Sequence, residues 1–238
     1  MNNSVGNTAR LIGAGLRALL VLTVICGVLY PLAVTGVAQA LFNGKANGSE
    51  LKGKDGQVVG SSLIGQSYNL PKKDPADAEE AAQPDLRWFQ PRPSNGLGSN
   101  SVNTRYSLIL SGATNRSADN GAVDGRCTAN AEEGTLCAQV TGAKDAVVAD
   151  NSTSSHKVAP EDVPADAVTS SGSGLDPHIS PAYAELQVHR VAERNRLDVQ
   201  RVEKLVAEHT TGRTLGFMGE PRVNVLELNT ALSALTTS

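Results

Sequence analysis

ALLVLTVICGVLYPLAVTGVAQALFNG, from Ala18 to Gly44, carries no charged residue over 27 positions. Most of it is Leu, Val, Ile, Ala or Gly. A hydrocarbon core about 30 Å thick needs about 20 apolar residues of helix, and a helix satisfies its own backbone hydrogen bonds where water is absent. The stretch reads as one membrane-spanning helix over 18–42, with a tail over 1–17 before it and one domain over 43–238 after it. A secretory signal is the competing reading, because Ala38-Gln39-Ala40 offers a small-residue cleavage site behind Arg10 and Arg17. Signal h-regions run about 7–15 residues. This segment is long enough to cross a bilayer, so an uncleaved anchor is expected.

Within the span, Thr23, Gly27 and Pro31 recur every four residues. Together they form a face of low bulk on which another helix can pack closely, and Pro31 removes one helical hydrogen bond. With no ionisable residue inside, the span alone cannot line an ion path. Basic residues flank both ends (Arg10 and Arg17; Lys45, Lys52 and Lys54), so their count does not orient it. The short tail and the large following domain point to a cytoplasmic N-terminus and an extracytoplasmic domain. Cys127 and Cys137 fit a disulfide hairpin better than a metal site, which would want two more closely spaced ligands. A disulfide closing so short a loop contributes about 2–3 kcal/mol and needs an oxidising compartment.

A chain of 238 residues with this span leaves room for one core, and 3 Phe, 4 Tyr and 1 Trp make that core small and aliphatic. The net charge of −3 argues against nucleic acid as a partner. The expected class is α+β: one N-terminal transmembrane helix and a small mixed domain interrupted by a long irregular insertion. Short strands are expected in Gln57–Gln66. Pro71–Pro84 reads as an acidic solvated loop or a frayed helix, and Trp88 and Phe89 read as core. Tyr106–Leu110 is a compact apolar run. The tract over 113–157 reads as a polar inserted loop, since it has too little apolar surface to offset its ordering entropy.

Order returns near Val158. Ser180 and Pro181 open a helix carrying Ala184, Val188 and Val191 on one face, and Asp198 caps the next, with Val202, Leu205 and Val206 inward. Gly212 is expected to end that second helix. Leu215–Met218 reads as a short apolar run that suits a strand. From Asn224, a capping box with Glu227 competes with a strand over Val223–Leu228.

Three constellations invite chemistry. Ser171-Gly172-Ser173-Gly174 is neither a nucleophile elbow nor a phosphate-binding loop, which needs a Lys. Ser173, Asp176 and His178 lie too close in sequence to converge as a triad; a turn that caps a helix and binds a neighbouring loop or subunit is the simpler reading. Glu185, His189 and Glu193 share a helical face, but such faces are usually solvated, and no metal ligand set is assigned. His189, Arg190, Arg194, Arg196 and Arg201 read as a mixed solvated face away from the apolar stripe, with Arg190 and Arg194 as candidates for a partner contact. Arg92, held between two prolines, presents its fork to a carboxylate or a carbonyl.

Taken together, Lys45–Ser49, Gly60–Gln66, Arg92-Pro93-Ser94, Val168–Pro181, Val188–Ala192 and Gly219–Asn229 resemble the KdpC subunit family of the bacterial high-affinity potassium-transporting ATPase. The resemblance runs from the span to the C-terminus. It implies an accessory, non-catalytic subunit of the bacterial cell membrane, needed for assembly and activity. Its implied partners are a channel-like potassium-binding subunit, a P-type ATPase subunit and a small single-span subunit, besides the lipid bilayer. ATP and potassium would be handled by that complex, and the family is described as a catalytic chaperone raising the ATP affinity of the hydrolysing subunit. The residues themselves offer no direct ATP site or other bound cofactor. Two departures stand out: Ser111-Gly112-Ala113-Thr114-Asn115 replaces the family's Ser-Gly-Gly-Ser-Asn, which weakens a nucleotide-signature reading, and the tract from Asn120 to Ser155 is longer than usual. The rival reading is a membrane-anchored extracytoplasmic binding protein or enzyme acting alone.

Overall fold

The computed structural model describes residues 3–74, 77, 80–94, 121–122, 127–128, 130–132 and 135–236. The chain divides into a unit up to Glu50 and a unit from Leu51 onward. Gly96–Asn103, Tyr106–Leu110 and Ser111–Asn115 lie outside the described residues.

Pro31 shapes the first unit. A helix α1 (Asn3–Val24) passes through one π-helical turn (Ile25–Leu29) into α2 (Tyr30–Leu41). Proline has no N–H to offer the carbonyl four residues back, and its ring crowds that carbonyl. The widened turn absorbs the mismatch one residue earlier, with the Tyr30 N–H donating to Ile25 O. The apolar helical run, Gly6–Leu41, spans 36 residues, about 54 Å at 1.5 Å per residue, more than a hydrocarbon core requires. It takes Arg10 and Arg17 into the helix. Both are exposed. A short α3 (Asn43–Ala46) follows, tied back by the Gln39, Asn43 and Asn47 side-chain amides.

The second unit is built on helices. The strands β1 (Glu50–Lys52) and β2 (Val58–Ser61) form a two-stranded sheet. The acidic loop is closed at its base, where Leu70 N–H donates to Gln83 O and Asp85 N–H to Tyr68 O, both at 2.8 Å. A three-stranded antiparallel sheet has the order β3 (His178–Ile179), β5 (Arg222–Asn224), β4 (Thr210–Thr211), with Ile179 opposite Val223 and Thr210 opposite Val223 on its other side. The short α5 (Ala165–Val168) precedes this sheet. Around it pack α6 (Pro181–Asn195), α7 (Val199–Glu208) and α8 (Val225–Thr236).

Each of these three longer helices begins at a polar cap: Ser180 Oγ accepts from Tyr183 N, an Asp198 oxygen from Gln200 N, and Asn224 Oδ1 from Leu226 N and Glu227 N. Asn224 thus resolves the choice left open by its sequence, since a three-residue strand ends where the helix begins. The core comprises Tyr68, Phe89, Ile179, Tyr183, Val188, Val191, Val202, Val223, Leu228 and Leu232, among others, with Trp88 packed against it.

Three expectations are corrected. Within the tract read as a polar loop over 113–157, Leu136–Asn151 form α4, a helix of 16 residues. Its sparse apolar content is compensated from outside: Thr135 Oγ1 caps it by accepting from Ala138 N, Cys137 bonds to Cys127, and Cys137, Val147 and Asn151 are buried against the rest of the unit. α7 stops at Glu208 with His209 as its cap, short of Gly212. Leu215–Met218 is the turn of a hairpin closed by the Thr214–Met218 bridge, rather than a strand.

Candidate functional site

The turn from Thr169 to His178 and the segment around Arg92 meet at one junction. Pro91 and Pro93 hold Arg92 extended. One Arg92 nitrogen faces Asp176 Oδ2 at 3.3 Å, and another donates to Thr169 O and Ser170 O, both at 3.3 Å. Its Nε is buried without a partner among the described residues. Asp176 Oδ1 accepts from the His178 N–H at 3.0 Å and lies 3.3 Å from His178 Nδ1. Ser171 Oγ accepts from the N–H groups of Gly174 and Asp176, and Ser173 Oγ from that of Leu175.

Backbone links fasten the turn to its surroundings: Ser171 N–H donates to Pro93 O, Gly65 N–H to Leu175 O and Val225 N–H to Pro177 O. Arg92, Ser173, Asp176 and His178 therefore come together, as a joint between loops of one domain. The His178 ring, aided by the His178 N–H and Arg92, holds the Asp176 carboxyl below the ordinary carboxylate range against the opposing effect of burial. A lowered carboxylate pKa stabilises the fold above the unfolded-state value and loses that contribution as pH falls through the folded value. Asp176→Asn is thus expected to lower the thermal midpoint at pH 7, by an amount that shrinks toward pH 3. A midpoint difference constant across that range would count against the joint.

Arg190 requires a correction. Expected on a basic surface, it is 1% exposed. Its guanidinium donates to Asn151 Oδ1 at 2.8 Å, Gln187 Oε1 at 2.6 Å, Trp88 O at 2.9 Å and Leu86 O. All four acceptors are neutral. Burial pushes its pKa down to about 10, opposed by Tyr183 and Asp150, so it remains a cation at neutral pH. Burial likewise lifts Tyr183 to about 12 and raises the Asp150 carboxyl. Arg194, one helical turn on, is exposed.

Gln187, Arg190 and Asn229 share a task that sequence reading missed. Among the described residues no strand pairs with 86–90, so their buried backbone groups need other partners. Asn229 accepts from Phe89 N and donates to Phe89 O, both at 2.9 Å, and Gln187 does the same for Gln90 at 2.7 and 3.1 Å. Asn195 Nδ2 donates to Arg87 O at 2.7 Å. Side chains of α6 and α8 stand in for a neighbouring strand. The available signal was the spacing of Tyr183, Gln187 and Arg190, which lines the inner edge of α6.

Beside this segment lies a cleft of about 580 Å³ whose walls include Tyr68, Trp88, Asp85, Arg87 and Lys54. Burial works against ionisation of Asp85, but its Arg87 hydrogen bonds prevail and hold the carboxyl below its ordinary range. The His189 ring stacks on His156 at 3.9 Å. Among the described residues no group of three or more His, Cys, Asp and Glu is placed to hold a metal.

Fold and joint together define a class: a membrane-associated protein with one candidate N-terminal span and an α+β domain whose buried polar groups hold its own irregular segments. The family model described as K+-transporting ATPase, c chain, matches residues 12–234, and the chain belongs to this KdpC family. It is 69% identical to the potassium-transporting ATPase KdpC subunit of Streptomyces avermitilis, over 99% of this chain and 98% of that one. It is 42% identical to the Gemmatimonas aurantiaca subunit of the same name, over 93% of each. Identity to the Mycobacterium bovis subunit is 41%, over 92% of this chain and 96% of the relative.

Proposed function

We propose that the chain is a non-catalytic accessory subunit of an ATP-driven potassium uptake complex, needed for its assembly and activity. The observation that carries this reading is the use made of the polar constellations. Ser171, Ser173, Asp176, His178 and Arg92 fasten loops, and Gln187, Arg190 and Asn229 hold the 86–90 segment. The names of its relatives supply the complex. Its partners on this reading are a channel-like potassium-binding subunit, the P-type ATPase subunit and a small single-span subunit. Thr23, Gly27 and Pro31 offer the packing face within the membrane, and Arg194 a further polar contact. The Cys127–Cys137 disulfide suits an oxidising compartment, which favours an extracytoplasmic domain and a cytoplasmic N-terminus. An effect on ATP affinity from that side must pass through the span or the complex.

The test is copurification of the tagged full chain from detergent-solubilised membranes, combined with growth of a deletion strain at limiting potassium. Recovery of large membrane partners and loss of growth are expected. The cleft beside Trp88 favours the second reading, a binding protein acting alone. That reading gains if the deletion leaves growth intact and the purified chain binds a small ligand.

A further inference from the structure

The hairpin joining β4 to β5 is the part of the domain that folding does not explain. Residues 211–222 are exposed without interruption, yet their backbone is closely specified. Thr214 N–H donates to Met218 O at 2.8 Å and Met218 N–H to Thr214 O at 2.9 Å. An Arg213–Glu220 ion pair at 2.8 Å closes the base. Gly216 and Gly219 take the positive φ angles of 81° and 79° that the reversal needs, but Leu215 also sits at φ 55°, a left-handed conformation that a non-glycine residue adopts only at a cost in backbone strain. The outcome is a pinned ribbon with Leu215, Phe217 and Met218 at its tip, 79%, 71% and 51% exposed. Single exposed apolar residues are ordinary. Three on one strained, ordered projection mark an interaction surface.

We propose that this tip anchors the domain in an uncharged apolar pocket on a membrane-embedded partner chain of the same transporting complex; the inference rests on the subunit reading above. Charge complementarity favours that occupant. Arg213 is neutralised by its own neighbour Glu220, leaving Arg222 as the ribbon's one other basic residue, so the tip suits a neutral pocket. A loop that grips the bilayer instead joins its apolar tip to a basic cluster, and a chain with a 36-residue apolar helix has no need of so slight a second hold on lipid. Leu, Phe and Met presented on a rigid turn enter a pocket with little ordering cost, as the central residues of a protein interface do. Because the span confines the chain to its partner's membrane, docking of the domain follows packing of the helix at high effective concentration, so a small tip suffices.

The test uses the full chain coexpressed with the other subunits of its ATPase. A photo-reactive benzophenone amino acid replaces Phe217 and is irradiated in native membranes, and a Leu215→Ser/Phe217→Ser/Met218→Ser chain is purified in parallel. A cross-link to a membrane-embedded partner chain is expected, together with partner recovery roughly tenfold lower for the serine variant, the loss of one modest interface anchor. Cross-links confined to lipid or to a second copy of this chain would overturn the proposal, as would undiminished recovery with the serine variant. A wild-type chain that copurifies with no partner overturns the subunit reading itself. Partner recovery without a cross-link overturns only the docking of the tip.

Discussion

Arg190→Met is expected to lower the unfolding free energy of the full chain in detergent by about 2–4 kcal/mol, through acceptors left buried without a donor. The guanidinium serves four of them. Gln187 Oε1 keeps the Gln90 N–H and Trp88 O keeps a long contact from Gln90 Nε2, so the loss concentrates on Leu86 O and Asn151 Oδ1. Methionine refills much of the volume and removes the cost of burying a cation, which offsets part of the loss and sets the upper limit. The chain's only tryptophan is Trp88, whose carbonyl contacts the guanidinium, so the urea midpoint followed by its fluorescence reads the site directly. A midpoint equal to that of the unsubstituted chain would mean that the buried fork carries no net stability. Charge reversal at Arg190 is expected to unfold the domain and so cannot report on assembly. Reversal at the exposed Arg194 remains suitable for that purpose.

Gly65→Ala carries the second large effect. A Cβ at this position would lie 2.6 Å from Asp176 O and 3.2 Å from the Asp176 carbonyl carbon. Both are backbone atoms, and the Gly65 N–H is already drawn to Leu175 O at 2.8 Å, so neither side can yield cheaply. Overpacking of this kind costs about 1–3 kcal/mol, whereas replacing glycine by alanine in unstrained surroundings stabilises by about 0.4–1 kcal/mol through the unfolded chain. The two effects have opposite signs. A thermal midpoint several degrees lower is expected, and an unchanged or raised midpoint would show that the approach of Gly65 to the 169–178 turn is not tight.

What the sequence made legible follows physical range. α6, α7 and α8 announce themselves because Ser180, Asp198 and Asn224 act on amides two or three residues away and because Val188, Val191, Val202 and Leu205 keep helical spacing. The span is equally local. α4 was hidden because little in its composition demands a helix; a Thr cap, a disulfide and burial of Val147 and Asn151 against distant elements hold it. Arg190 was misplaced for a related reason. Five basic residues on or after one helix look like a surface until Leu86 O and Trp88 O, over 100 positions earlier, turn one of them inward. Within the joint, the turn itself was legible from its glycines and serines, whereas the Asp176–His178 contact across two residues and the Arg92 contact across 84 became visible only in three dimensions.

The clamp on residues 86–90 also fixes an order of events during synthesis. Phe89 meets Asn229, 140 residues later, and Gln90 meets Gln187, 97 residues later. At a synthesis rate of about 5–20 residues per second, Phe89 waits about 7–28 s for its partner. During that interval an apolar stretch containing Trp88 and Phe89 has no completed shelter, and α8, made after the other helices described, is the one that shuts it. Losing α8 would therefore open the middle of the domain, making completion of that helix the point at which the newly made chain becomes resistant to proteases.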